Sequence, residues 1–257
     1  WIEYKRVISK WQNKLHNKGW NALYIENHDI PRVTSTWGND KEYLKECATA
    51  FGLMYFMQQG TPFIYQGQEI GMTNVKFDSI YDYNDVKGIN IYKEKVEQGL
   101  SGEEALKYVW AVSRDNSRTP MQWDSSENSG FTTGKPWIRI NKNHKYINVK
   151  DQLKDENSIL NFYKKMINIR KENKTLIYGS YDLILEDHEK IYAYTRIMRE
   201  EEFVIIVNLS HDNVKYSYDI NLHSDGLLLS NYNVEKHALL TEFDLRPYEA
   251  RIYKVIK

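Results

Sequence analysis

Apolar residues recur at helical spacing over the first 18 positions. Ile2, Val7, Ile8, Trp11 and Leu15 share one face, and Gly19 supplies a stop. A strand is expected over residues 21–26, with Ala22-Leu23-Tyr24-Ile25 as its apolar part, followed by a polar loop from His28 to Asp40. Beyond it the pattern predicts a second helix. Asn39 would cap it, Glu42 would complete a capping box, and Leu44, Cys47, Ala48, Phe51 and Met54 would mark one face up to a stop near Gly60. Thr61-Pro62-Phe63-Ile64-Tyr65 reads as another short strand. Helix, strand, helix, strand with tight connections predicts an α/β architecture with a parallel sheet.

Residues 66–157 lose this rhythm. A Gly-, Asp- and Asn-rich start precedes a helix expected from about Ile89 to Val112, broken near Gly99, and then a stretch rich in Trp, Pro and Gly. An insertion of this length in a compact domain is functional or a subdomain. Asn157 or Ser158 then caps a helix with Ile159, Phe162, Tyr163, Met166 and Ile167 inward. After Lys174 the period changes to short β-type runs at Tyr192–Thr195, Phe203–Leu209, Tyr216–Ile220, Leu227–Leu229 and Ala250–Val255, the pattern of an antiparallel sandwich.

Composition narrows the partners. The 257 residues are 41% hydrophobic, enough for one large core or two ordinary ones. The 35 basic residues balance 35 acidic ones and no basic tract stands out, so neither nucleic acid nor an anionic membrane surface is favoured. No apolar run is long enough to span a membrane, and no signal peptide is visible, so a cytoplasmic location is expected. Aromatic residues, 14% of the chain, offer faces that stack on sugars, though most are expected in cores. The single cysteine, Cys47, excludes an internal disulfide and argues against a cysteine-based metal site.

Three segments carry candidate chemistry. Glu26-Asn27-His28-Asp29-Ile30-Pro31-Arg32 follows a predicted strand, where parallel barrels build their sites, yet its spacing alone better fits a turn in which Asp29 caps amides. In Ser113-Arg114-Asp115-Asn116-Ser117-Arg118, two arginines and an aspartate can form a guanidinium network for hydroxyls or a salt bridge pinning the insertion. Glu69, within Gln66-Gly67-Gln68-Glu69-Ile70-Gly71, better fits loop bracing than catalysis.

In this order along the chain, WNALYIENHDIPRV, GTPFIYQGQEIGMTNVKFDSI, SRDNSRTPMQWD, GFTTGKPWI, YGSYDLILE and LRPYEARIY resemble the oligo-1,6-glucosidase and α-glucosidase branch of the α-amylase superfamily, glycoside hydrolase family 13. The resemblance implies the C-terminal part of a (β/α)8 barrel over residues 1–174, with the long insertion 66–157 after the last strand, and an antiparallel β-sandwich domain over 175–257. It implies a retaining, exo-acting oligo-1,6-glucosidase that cleaves α-1,6, and also α-1,4, bonds of short oligosaccharides. Trehalose-6-phosphate hydrolase is the alternative within the family. A non-catalytic carbohydrate-binding or structural relative is the alternative of another class.

By the same resemblance Asp29 stabilises the transition state, His28 and Arg114 hold the glucose, and Arg118 either joins them or only braces the loop. The nucleophile and the general acid would lie upstream of Trp1. The chain alone is therefore expected to be inactive, with the N-terminal remainder of the barrel as its partner. No cofactor is implied for these residues, and a structural Ca2+ would have its place only upstream. The barrel part alone is expected to be unstable, because parallel edges are normally buried, whereas the sandwich is expected to fold by itself. Three departures stand out: Ile30 where Gln is frequent, Ser35-Thr36-Trp37-Gly38 in place of Ser-Arg-Phe-Gly, and Gln68 in place of Glu. The first two flank the substrate-side loop and leave the linkage preference open. The third replaces a charge with a neutral hydrogen-bonding group.

Overall fold

The computed structural model describes residues 1–218, 226–234 and 241–255. Along the chain run α1 (Ile2–Leu15), β1 (Ala22–Leu23), α2 (Val33–Thr36), α3 (Leu44–Phe56), β2 (Thr61–Pro62), α4 (Val86–Glu97), α5 (Gly102–Val112) and α6 (Val149–Gln152). Then come α7 (Ile159–Glu172), α8 (Lys174–Tyr178), β3 (Ser180–Ile184), β4 (Ile191–Met198), β5 (Glu201–Asn208), β6 (Val214–Ser217), β7 (Leu227–Ser230), β8 (Glu242–Leu245) and β9 (Ala250–Val255). The chain divides into two compact units. One comprises Trp1–Ile25, Lys41–Phe63 and Phe162–Lys257, the other Glu26–Asp40 and Ile64–Asn161.

In the first unit β1 and β2 pair in parallel, Ala22 opposite Thr61 and Leu23 opposite Pro62. The parallel sense is the one expected, but each strand is two residues long. Thr61 N–H donates to Asn21 O and Phe63 N–H to Leu23 O, closing this short ladder. Helix α3 starts later than the Asn39–Glu42 capping box predicts. Residues 40–42 form a turn in which Ser35 Oγ donates to Asp40 Oδ2 at 2.5 Å, and the helix begins only after Tyr43. Every residue from Cys47 to Phe56 is buried.

A buried helix end must satisfy its last carbonyls. Here two arginines do so. Arg170 donates to Phe56 O, Gln58 O and Gly60 O, and Arg196 to Met57 O. Cations at a helix C-terminus also complement its dipole. Gly60, at φ 143°, brings the exit of α3 close to β1, since a Cβ there would stand 2.6 Å from Asn21 O.

The C-terminal strands form an antiparallel sheet in the order β3-β4-β5-β9-β7, and a second, two-stranded antiparallel sheet β6-β8. Side chains alternate along β4. Ile191 and Ala193 join Val204, Ile206, Tyr216, Leu245 and Tyr253 in one apolar core to which both sheets contribute. Tyr192 and Tyr194 point the other way, toward α3, where Gln58 Nε2 donates to Tyr192 Oη and Tyr194 Oη donates to Met54 O. Helices α1 and α8 pack on the same sheet. Strands β3 and β8 were not expected from the sequence, and Asp219 and Ile220, the end of one expected run, lie outside the described residues.

In the second unit the helix expected near Ile89–Val112 is two helices, broken as anticipated at Gly99 (φ 91°). Ser101 and Glu104 form a capping box for α5, and Asp85 caps α4, whose start lies three residues before the expected one. Val75, Phe77, Tyr83, Leu106, Val109 and Ile138 form a small core beneath otherwise irregular loops. Among the described residues no helix is long and apolar enough to cross a membrane.

Candidate active site

The loop after β1 is pinned from beneath. The Glu26 carboxylate accepts from Val33 N–H at 2.7 Å and from Arg32 Nη1 at 3.1 Å, with both charged side chains buried. Burial pushes the Glu26 carboxyl up, against the opposing pull of the Arg32 charge and the Val33 amide. Arg32 Nη1 also donates to Gln66 O at 2.8 Å, and its guanidinium lies over the Tyr65 ring. Arg32 thus finds its carboxylate partner, Glu26, within the same short segment. The residues between are thereby held out as a turn. Asp29 N–H donates to Asn27 Oδ1 at 2.8 Å, and His28 and Asp29 stand at the tip with more than half of each side chain exposed.

The segment after α5 clasps that tip. Ser117 Oγ donates to Ile30 O, Arg118 Nε donates to His28 O at 2.9 Å, and Arg118 Nη2 donates to Asp29 Oδ1 at 2.8 Å. Arg114 Nη1 lies 3.8 Å from the same Asp29 oxygen, and His28 Nε2 lies 3.3 Å from Asp29 Oδ2. The structure therefore brings all four candidate residues together: His28, Asp29, Arg114 and Arg118. Arg118, the less certain of the two arginines from sequence, is the one in direct contact with Asp29.

The carboxylate that holds Arg114 was not visible in the sequence. It is Asp85, 29 residues earlier, rather than the adjacent Asp115. Arg114 Nη2 and Nε stand 2.6 and 2.8 Å from Asp85 Oδ1. Burial alone would raise the Asp85 carboxyl, but hydrogen bonds from the Arg114 side chain and amide and from the Lys87 amide outweigh it and hold it low. Asp115 instead accepts the backbone N–H groups of Asn84 and Asp85. Asp85 marks the start of α4 as its cap, the one local signal that could have singled it out.

Glu69 sits in a single 3-10 turn between two left-handed glycines, Gly67 (φ 88°) and Gly71 (φ 70°). Burial raises its carboxyl, and the amides of Glu69 and Gly67 bond to it. That is the bracing role expected of it. Gln68 Oε1 accepts from Tyr65 N–H at 3.3 Å, a neutral bond. No group of three or more His, Cys, Asp or Glu among the described residues could hold a metal ion.

This arrangement offers one exposed carboxylate flanked by an imidazole and two guanidinium groups. Such a set can hydrogen-bond vicinal hydroxyls and stabilise positive charge developing above it. It does not supply the pair of reactive carboxyl groups, about 5 Å apart, that a retaining glycosidase needs. Asp85, the nearest other carboxylate of the network, is buried with both oxygens engaged.

Comparison with known proteins places these residues in a family. Residues 1–179 match the model of the α-amylase catalytic domain. The oligo-1,6-glucosidase of Parageobacillus thermoglucosidasius is 48% identical over 256 residues, 98% of this chain and 46% of that protein. The trehalose-6-phosphate hydrolase of Bacillus subtilis (strain 168) is 40% identical over 261 residues, covering 100% of this chain and 46% of that protein. The crystal structure of the Bacillus licheniformis trehalose-6-phosphate hydrolase superposes with a TM-score of 0.93 at 39% identity, over 100% of this chain and 47% of that one. The chain thus spans about half the length of the curated relatives it matches. With the family model covering residues 1–179 and near-half identity to curated members, this chain belongs to the α-amylase family.

Proposed function

We propose that the chain is the C-terminal portion of a retaining, exo-acting oligo-1,6-glucosidase acting on α-1,6, and also α-1,4, bonds of short oligosaccharides. The observation that carries this reading is the cluster at Asp29: a half-exposed carboxylate held by Arg118, with His28 and Arg114 beside it. In this reading Asp29 supports the oxocarbenium-like transition state, and His28, Arg114 and Arg118 grip the glucose hydroxyls. Residues 1–174 are the last part of the (β/α)8 barrel and 175–257 its β-sandwich domain. The nucleophile and the acid belong to the upstream remainder of the barrel, which is the chain's partner, so residues 1–257 alone are inactive. We also place the intact enzyme in the cytoplasm, the location expected from the sequence.

Trehalose-6-phosphate hydrolase is the second reading, favoured by the close superposition on a member with that activity. A phosphate calls for surplus positive charge. Here Arg114 and Arg118 are matched by Asp85 and Asp29, which suits a neutral sugar better. Assays of the intact enzyme on isomaltose, maltose and trehalose 6-phosphate separate the two. Turnover of isomaltose with none of trehalose 6-phosphate is expected, and the reverse would overturn the proposal. No turnover of any glycoside would point to a binding or structural relative.

A further inference from the structure

Arg114 cannot spend its whole fork on a ligand. Its Nε and Nη2 both lie on Asp85 Oδ1, at 2.8 and 2.6 Å, and its backbone N–H donates to Asp85 Oδ2 at 2.8 Å. Lys87 N–H donates to Asp85 Oδ1 at 3.2 Å, and Ser113 Oγ donates to Oδ2 at 3.5 Å. The clasp is reciprocal, because Asp115 Oδ2 accepts Asn84 N–H at 2.7 Å and Asp85 N–H at 3.0 Å. Two chain segments, 84–85 and 114–115, thus cap each other's amides and fix the base of Arg114. Only Nη1 is left to face Asp29, at 3.8 Å, while Arg118 holds the same oxygen at 2.8 Å.

We propose that Asp85 is a positioning residue that acts on Asp29 through Arg114. Capping α4 alone does not call for a carboxylate, since serine, threonine or asparagine would serve as well. A buried charge is costly unless it is matched, and the charge of Asp85 is matched by the Arg114 fork. With that fork locked, Arg114 lends Asp29 positive potential without closing on it. Released from Asp85, Arg114 would close on Asp29 through Nη1 and Nη2, leaving Nε unbonded and neutralising the charge that Asp29 offers the transition state. The kinetic consequence of this inference rests on the glucosidase reading, but the geometric one does not.

The test uses the intact enzyme and an Asp85→Ser variant, which keeps a cap for α4 but removes the acceptor for Arg114. With isotope-labelled arginine, the Nε–H signal of Arg114 is expected to exchange with water at least about tenfold faster in Asp85→Ser, while that of Arg118, bonded to His28 O, stays protected. An unchanged Arg114 signal would overturn the locking. On isomaltose, kcat is expected to fall about tenfold with KM within about threefold. Asp82→Asn, which loses an Arg139–Asp82 contact outside the site, should change neither. Kinetics in Asp85→Ser equal to the unsubstituted enzyme's would overturn the positioning role. If Asp85→Ser fails to fold, Asp85→Thr, which also keeps a cap for α4 and removes the carboxylate, should give the same kinetic split, and an unchanged kcat there would overturn the proposal. An unsubstituted enzyme without turnover would overturn the glucosidase reading instead, leaving the arginine signal to decide on Asp85.

Discussion

Two sets of cations, one in each unit, are held in opposite ways. In the unit that carries the C-terminal sheets, Lys5, Arg170 and Arg196 are buried and bonded almost wholly to main-chain carbonyls. Lys5 Nζ donates to Leu185 O, His188 O and Ile191 O, Arg170 to four carbonyls, and Arg196 to those of Met57, Gly179 and Ser180. Burial pushes both arginines down to about 10, still well above neutral pH. In the other unit Arg114 and Arg118 are bonded to carboxylates and keep a solvent-facing edge. A cation saturated by carbonyls has nothing left for a ligand, so its role is to close helix ends and turns. A cation matched by a carboxylate and left partly open can meet a substrate.

The largest effects should come from breaking the first kind. Arg196→Met strands the carbonyls of Met57, Gly179 and Ser180 in a dry interior. Removing the cation recovers its own desolvation, but each stranded carbonyl costs about 1–3 kcal/mol, so a net loss of roughly 3 kcal/mol is expected. A lower urea midpoint at unchanged slope is the measurement. A loss under about 1 kcal/mol would show that the carbonyls find other partners.

The same packing revises the expectation that residues 175–257 fold alone. Tyr192 and Tyr194 are buried on a sheet face that bonds to α3, and Arg196 on that face bonds to its last turn. Cut free, that face exposes two tyrosines and a guanidinium whose acceptors are partly gone. The isolated piece should unfold without a sharp transition, and a cooperative melt would restore the earlier expectation.

Changes at the open cluster should leave stability almost alone and strike activity. Asp29→Asn in the intact enzyme is expected to lower kcat about a hundredfold or more, as loss of a group facing developing charge does. Its stability should shift by less than about 0.5 kcal/mol, because the side chain is half-exposed. Arg118→Lys keeps the charge but loses either the bond to His28 O or that to Asp29, and about a tenfold loss in kcat/KM is expected. Equal kcat in Asp29→Asn would remove Asp29 from the reaction.

This contrast also explains what the sequence disclosed. The buried face of α3 and the break at Gly99 between α4 and α5 are local, and local spacing predicts them, whereas the apolar face expected of α1 leaves Val7 and Trp11 exposed and buries Lys5 and Gln12 instead. Strands β3 and β8 were missed because pairing with β4 and β6, not their own short patterns, makes them strands. The start of α3 was misplaced because residues 40–42 form a turn, in which Ser35 of α2 donates to the Asp40 carboxylate, and the helix begins only at Leu44. His28, Asp29, Arg114 and Arg118 were legible because two short motifs contain them. Asp85 was not, because its meaning lies in a contact 29 residues away.

The smallest expected effect tests whether the carbonyl-bonded cations set a pH limit. His188 Nδ1 accepts from the N–H groups of Lys190 and Ile191, and its carbonyl accepts from Lys5. Burial first, then the charges of Lys5 and Lys190, pull this imidazole below its ordinary 6.5. Folding therefore favours the neutral ring. As pH falls below about 6.5 the unfolded chain takes up the proton first, and stability present above that value is drawn down until the folded ring also protonates. The group is largely solvent-screened, so the loss should be only a few tenths of a kcal/mol. His188→Asn, which keeps a side-chain acceptor but does not titrate, should flatten the slope of stability between pH ~7 and ~5 relative to the unsubstituted protein. An unchanged slope would assign the acid sensitivity to carboxylates held low by paired cations, such as Glu249 beside Arg246 and Arg251 or Asp85 beside Arg114.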